Sequence, residues 1–182
     1  MALTKAEVLT AALQIVDEYG LADLTMRRLA THLDVQAGAL YYHVANKQTL
    51  LVELADLTLA DLVLADLVLD DPPAQRPGVD AVAWGMRLHE LLRSHRSGAE
   101  LVSAALAMRS IEASPAAALA TAMRASHGDE APAIAHAVLS LVIGHTLDEE
   151  QRDQFARLGL GAPPDPEGTD RLRLALTRLV GE

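Results

Sequence analysis

Thr25-Met26-Arg27-Arg28-Leu29-Ala30-Thr31-His32-Leu33-Asp34-Val35-Gln36-Ala37-Gly38-Ala39-Leu40-Tyr41-Tyr42-His43-Val44-Ala45-Asn46-Lys47 is the stretch that decides the fold. It contains two short helical patterns with a break between them. Thr25 is an N-cap residue for the first, which runs to His32. Leu33-Asp34-Val35 forms the break, and the second pattern covers Gln36 to His43. Leu29, Leu33, Val35, Leu40 and Val44 are spaced to build a small core that holds the two helices crossed. Two short helices joined by a tight turn make a helix-turn-helix.

Helical patterns continue on both sides. Upstream, Thr4 followed by Glu7 reads as a capping box. The apolar stripe Val8, Ala12, Ile15 and Val16 then leads to a stop at Gly20. Downstream, Asn46 caps a long helix expected over 47–70, which Pro72-Pro73 ends. Inside it Leu54-Ala55-Asp56-Leu57 recurs every five residues, twice more. A period of five fits no heptad, so the repeat reads as duplication in a Leu-rich helix with contacts on several sides. Residues 71–78 form a linker. Further helices are expected over about 79–95, 99–109, 114–127, 130–146 and 170–180, with residues 159–168 as loop.

Composition agrees with an all-α chain. Of 182 residues, 51% are hydrophobic and only 3% aromatic, and no sustained period-two run suggests a sheet. There is no Cys, which excludes a disulfide framework, thiolate metal sites and a Cys nucleophile, and suits a reducing cytoplasm. The N-terminus lacks the apolar core of a signal peptide. The most apolar long stretch, 50–69, carries Glu53, Asp56, Asp61 and Asp66, which argues against a membrane span. The expectation is a soluble, cytoplasmic protein with no membrane partner.

The net charge is −10, an unfavourable balance for binding a polyanion, so its distribution matters. Residues 48–182 carry −9, while residues 25–47 carry +2, with Arg27, Arg28 and Lys47 against Asp34. The basic segment coincides with the helix-turn-helix. Gln36 can pair with an adenine edge, and Ala37 or Ala39 can touch a thymine methyl. Gly38 weakens a helix by about 1 kcal/mol relative to Ala, and it allows close approach of backbone to DNA. Tyr41, Tyr42 and His43 can reach phosphates. Lys47 opens the next helix, where free N–H groups also favour phosphate.

Leu24-Thr25-Met26-Arg27-Arg28-Leu29-Ala30 and Ala39-Leu40-Tyr41-Tyr42-His43-Val44-Ala45-Asn46-Lys47, followed by Leu50-Leu51, resemble the DNA-binding domain of the tetracycline-repressor (TetR) family. The resemblance covers residues 4–54. It implies a three-helix helix-turn-helix domain over 1–46 and a helical effector-binding and dimerisation domain over 47–182. Residues 47–70 would form the connecting helix. It also implies a repressor, homodimeric, released from a palindromic double-stranded DNA operator by a small-molecule effector. The implied DNA contacts are Thr25, Arg27, Arg28, Gln36, Ala37, Gly38, Tyr41, Tyr42, His43 and Lys47.

Farther along, Leu91-Leu92-Arg93-Ser94-His95-Arg96-Ser97-Gly98-Ala99 and Gly144-His145 are similar to the subgroup of the tetracycline repressors themselves. An effector pocket is expected from Trp84, Leu88, Val102, Met108, Met123 and His145. By the resemblance, the position of the histidine that holds drug-bound magnesium is Val102, which has no donor atom. Other polar positions of that site read Trp84, Ala105 and Leu106. The expected effector is therefore smaller or more apolar than magnesium-tetracycline.

An enzyme is not expected. His89-Glu90 followed by His95 resembles a zincin helix, but the second His would need to come at i+4 to share a face. No Gly-rich phosphate loop or nucleophile constellation is present, and no cofactor or metal is called for.

Overall fold

The computed structural model describes residues 3–66, 80–109, 114–161 and 165–181. Among them every regular element is helical, as expected. The helices are α1 (Lys5–Tyr19), α2 (Met26–His32), α3 (Ala37–Leu40), α4 (Lys47–Asp66), α5 (Ala81–Arg93), α6 (Gly98–Leu106), α7 (Pro115–His127), α8 (Ala131–Arg157) and α9 (Gly168–Val180). The linker at 71–78, the stop at Pro72-Pro73 and the third five-residue repeat's side chains lie outside the described residues.

The helix starts follow local chemistry. The Thr4 hydroxyl accepts from the Glu7 N–H at 3.3 Å, and the Glu7 carboxylate accepts from the Thr4 N–H at 2.8 Å, closing the capping box. The hydrogen bonds from the Thr4 side chain and backbone hold the Glu7 carboxyl below its usual range. This contribution is present above the ordinary carboxylate pKa and fades as pH falls through the depressed one. The Thr25 hydroxyl accepts from the Arg28 N–H at 3.0 Å. The Asn46 side-chain oxygen accepts from the Thr49 N–H at 2.8 Å and caps α4. Between α2 and α3, Asp34 adopts a left-handed φ of 53°, a turn conformation that Asp tolerates better than most residues.

Two compact units form. The first takes the residues up to Thr58 together with Leu92–Met108. Its core includes Val8, Ala12, Ile15, Val16, Leu24, Leu29, Leu40, Val44, Leu50 and Leu54, all buried. Leu33 and Val35, also expected in this core, are only half-buried. The loop before α6 is tied to the end of α1. Asp17 accepts from the Arg96 N–H at 3.3 Å and lies 3.1 Å from His95 Nδ1. Arg96 also donates to the Glu18 carbonyl, and the Leu21 N–H donates to the Ser97 hydroxyl at 3.4 Å.

The second unit takes Leu59–Leu91 and the described residues from Arg109 onward. Its centre is α8, packed against α7 and α9, with Ala131, Ala135, Val138, Leu139, Val142 and Ile143 buried. Pro115–Arg157 is long and apolar enough to cross a membrane by length and composition. It is not one rod, however. Gly128, at φ +53°, and the 3-10 turn Gly128–Glu130 divide it into α7 and α8. The buried stripe of α8 makes it a core helix.

The α8 helix does not stop at Thr146 but continues to Arg157, held on its polar surface by the Asp148–Arg152 ion pair at 2.7 Å. In α4, Leu50, Leu54, Ala55, Thr58, Leu59 and Leu62 are buried while Leu57 is 46% exposed. Among the described side chains of α4 the buried ones form a stripe at 3.6-residue spacing.

Candidate nucleic-acid interface

The candidate contacts cluster where α2 and α3 meet solvent. The α3 helix is shorter than the expected 36–43. It covers Ala37–Leu40, with Gln36 as an N-cap residue that makes no side-chain capping bond. The chain then tightens into a turn, in which the N–H groups of His43 and Val44 both donate to the Leu40 carbonyl, at 2.9 and 3.0 Å. Four residues cannot sustain a helix alone. The anchor is Leu40, the one buried side chain of α3, with none of its surface exposed.

Around that anchor the polar and aromatic groups face out. Gln36, Ala37 and Gly38 are exposed. A Cβ placed on Gly38 would meet nothing within 4 Å, so its lack of a side chain answers no packing need inside the chain. Tyr41 is 53% and Tyr42 91% exposed. A tyrosine so fully in water loses apolar burial worth about 1.5–3 kcal/mol for a large side chain, which points to a role outside the fold. His43 and Lys47 are half-buried.

The cations on α2 differ in setting. Arg27 is exposed. Arg28 is ion-paired with Asp23 and sits 4.3 Å from the Tyr19 ring centroid, so a local partner set already holds it. Thr25 uses its hydroxyl oxygen as the cap of α2. A surface groove of about 500 Å³ is bounded by Tyr19, Asp23, Thr25, Arg27, Arg28 and His32.

The candidate effector residues fall in both units. Trp84, Leu88 and Met123 are buried in the second unit, where His145 is half-buried. In the first, Val102 is buried and Met108 is 42% exposed. Sequence reading missed Asp17, His95 and Arg96 as partners that brace the helix-turn-helix unit. The similarity of the 91–99 stretch to the tetracycline repressors marked the segment but not what it touches.

Residues 8–54 match the model of the bacterial regulatory proteins, tetR family. Mycobacterium smegmatis BioQ, a solved structure, is 38% identical, with 98% of this chain and 96% of that chain covered and a TM-score of 0.79. The chain belongs to the tetR family. A structure of BioQ with its natural double-stranded DNA operator is 36% identical over 99% of both chains, with a TM-score of 0.72. The class C tetracycline repressor of Escherichia coli is 44% identical over 69 residues, 38% of this chain. That match spans about a third of the curated repressor's length, 32%. The tetR family is one of DNA-binding regulators and not of enzymes.

Proposed function

We propose that this tetR-family regulator is a sequence-specific repressor that grips a palindromic operator as a homodimer and is released by a small-molecule effector. The carrying observation is the carboxylate-free segment Gln36 to Lys47, which exposes Gln36, Ala37, Gly38, Tyr41 and Tyr42 around the buried anchors Leu40 and Val44. That surface suits the major groove, where the residues at the start of a recognition helix reach base edges. Gln36 and Ala37 are the base readers, and Gly38 lets the backbone approach. Tyr41, Tyr42, His43, Lys47, Arg27 and Thr25 take phosphates, with Arg28 contributing charge from its pair with Asp23.

Residues 1–46 act as the reading domain and 47–182 as the effector-binding and dimerisation domain, with α4 as the connecting helix. A dimer is supported by Leu174 and Leu179 on α9, 58% and 37% exposed, two apolar side chains that a second copy would cover. Operator half-sites then lie about 34–36 Å apart or a multiple of that. Effector and operator oppose each other because each lowers the other's affinity by the same factor. A protein of this kind works in the cytoplasm.

Footprinting on DNA fragments selected from the genome tests the proposal, and a protected site without two-fold symmetry would contradict the dimer. With the operator in hand, Gln36→Ala should relax base preference at one position per half-site, by about 1–3 kcal/mol. Lys47→Ala should weaken all sequences alike and flatten the salt slope by about one unit per half-site. Base preference lost in Lys47→Ala and kept in Gln36→Ala would reverse these roles.

The effector set of Trp84, Leu88, Val102, Met108, Met123 and His145 is largely apolar. Magnesium prefers oxygen donors and keeps several waters, and Val102 offers no donor at all. Calorimetry with tetracycline and excess magnesium should therefore register no binding tighter than about 1 μM, or about −8 kcal/mol. Tighter binding would refute this reading of Val102.

A further inference from the structure

His89 on α5 and His145 and Glu149 on α8 come together within the second unit. Their ligand-capable atoms all lie within 4.8 Å of one another. His89 Nε2 is 2.7 Å from Glu149 Oε2, and His145 Nε2 is 3.2 Å from Glu149 Oε1. The second is an ion-pair contact and not a hydrogen bond. His145 Nε2 is a buried nitrogen without a hydrogen-bond partner. The two imidazole rings are 5.7 Å apart and tilted by 56°, so neither stacks on the other.

Proton sharing explains half of this arrangement. The His89–Glu149 contact satisfies one nitrogen and one oxygen. The other nitrogen faces the same carboxylate without completing a hydrogen bond. Gly168, the first residue of α9, lies beside them. A Cβ there would lie 2.9 Å from Glu149 Oε1 and 3.7 Å from His145 Nε2. Glycine therefore leaves room beside the carboxylate oxygen and the unbonded nitrogen together.

We infer that His89, His145 and Glu149 form a binding site for a divalent transition-metal ion of the zinc type. Two imidazoles and one carboxylate are a ligand set that zinc takes in open, three-ligand sites. Tetrahedral bonds of about 2.0–2.2 Å put ligand atoms about 3.3–3.6 Å apart, so modest side-chain shifts bring these three onto one ion. His145 and Glu149 sit at i and i+4 on α8, one face of a helix, which fixes their mutual spacing. Calcium or magnesium would want more oxygens than the three residues supply. The side chains of His145 and Glu149 keep 21% and 19% exposure, giving the ion a way in and leaving a fourth position for water or a donor from a ligand. Binding would convert the lone imidazole nitrogen into a metal ligand and clamp α5 to α8.

This site is independent of the operator reading and is tested without DNA. The full chain, stripped with a chelator, is titrated with zinc chloride in a calorimeter, and with cobalt(II) in a spectrophotometer. One ion per chain is expected, with the strong visible absorption of four-coordinate cobalt. Glu149→Gln keeps size and His145→Asn keeps polarity, but both are poor ligands, and each should weaken zinc by about a hundredfold and abolish the cobalt band. Circular dichroism confirms that both variants are folded, and His89→Asn serves if either is not. No uptake by the wild type, or equal uptake by wild type and folded variants, would overturn the site. Equal uptake would assign the metal to other histidines of the chain.

Discussion

Gly98→Ala is expected to lower the stability of the first unit by about 3 kcal/mol, the upper end of what overpacking does. Gly98 opens α6 and is buried. A Cβ on it would lie 2.1 Å from the Leu92 carbonyl oxygen and 3.0 Å from the Leu92 carbonyl carbon. Those atoms are backbone, so no rotamer change can make way. Relief needs a shift of the turn that joins α5 to α6. That turn carries His95, Arg96 and Ser97, whose contacts with Asp17, Glu18 and Leu21 brace α1. The strain therefore reaches the helix-turn-helix support. Urea unfolding is the measurement, read as a lower midpoint with an unchanged slope. Gly38→Ala is the control, because nothing lies within 4 Å of its added methyl and Ala favours a helix by about 1 kcal/mol. It should leave stability equal or raised while operator affinity falls. A Gly98→Ala protein as stable as the parent would mean that the turn can shift freely.

Legibility in the sequence divides along physical lines. Helix starts were readable because a cap is a local event. Thr4 with Glu7, Thr25 and Asn46 each announce a start within three or four residues, and each makes its bond. The length of α8 was not readable from periodicity. Leu147-Asp148-Glu149-Glu150-Gln151-Arg152-Asp153-Gln154 has no apolar face to mark it. The exposed i, i+4 pair Asp148–Arg152 adds only about 0.2–0.5 kcal/mol to its helicity. The absence of Gly or Pro between Thr146 and Gly159 was the signal available. The end of α3 was overestimated for the opposite reason. Residues 36–43 look helical one by one, but after Leu40 the turn tightens around a single carbonyl.

Long-range pairings were the least legible. Nothing in one sequence joins Asp17 to His95, 78 residues away, or His89 to Glu149, 60 residues away. His89 and His95 are neighbours in sequence. The fold gives them separate partners in separate units. The contact surface was more legible, because the helix-turn-helix is local. Gln36, Tyr41 and Tyr42, which the resemblance names as contacts, are all exposed.

Leu40→Ala should be the most damaging single change in the reading helix. The leucine has no exposed surface and is the only buried side chain of α3. Truncation removes its burial and leaves a cavity, together worth about 2–5 kcal/mol. A four-residue helix has no reserve of its own, since isolated helices shorter than about 12–15 residues are marginal in water. Two outcomes separate by where the loss is felt. If α3 detaches locally, operator affinity falls by about thirtyfold to several thousandfold, as 2–5 kcal/mol requires, while global unfolding moves less. If the first unit loosens as a whole, the urea midpoint drops by the same free energy. Tyr42→Ala is the counterpart. Its side chain is 91% exposed, so stability should stay within about 0.5 kcal/mol of the parent while operator affinity falls. The pair distinguishes holding the reader in place from reading. Both variants binding operator like the parent would mean that Gln36 to Lys47 is not the surface that meets DNA. An affinity loss in Leu40→Ala alone would leave α3 as the anchor and remove Tyr42 from the contacts.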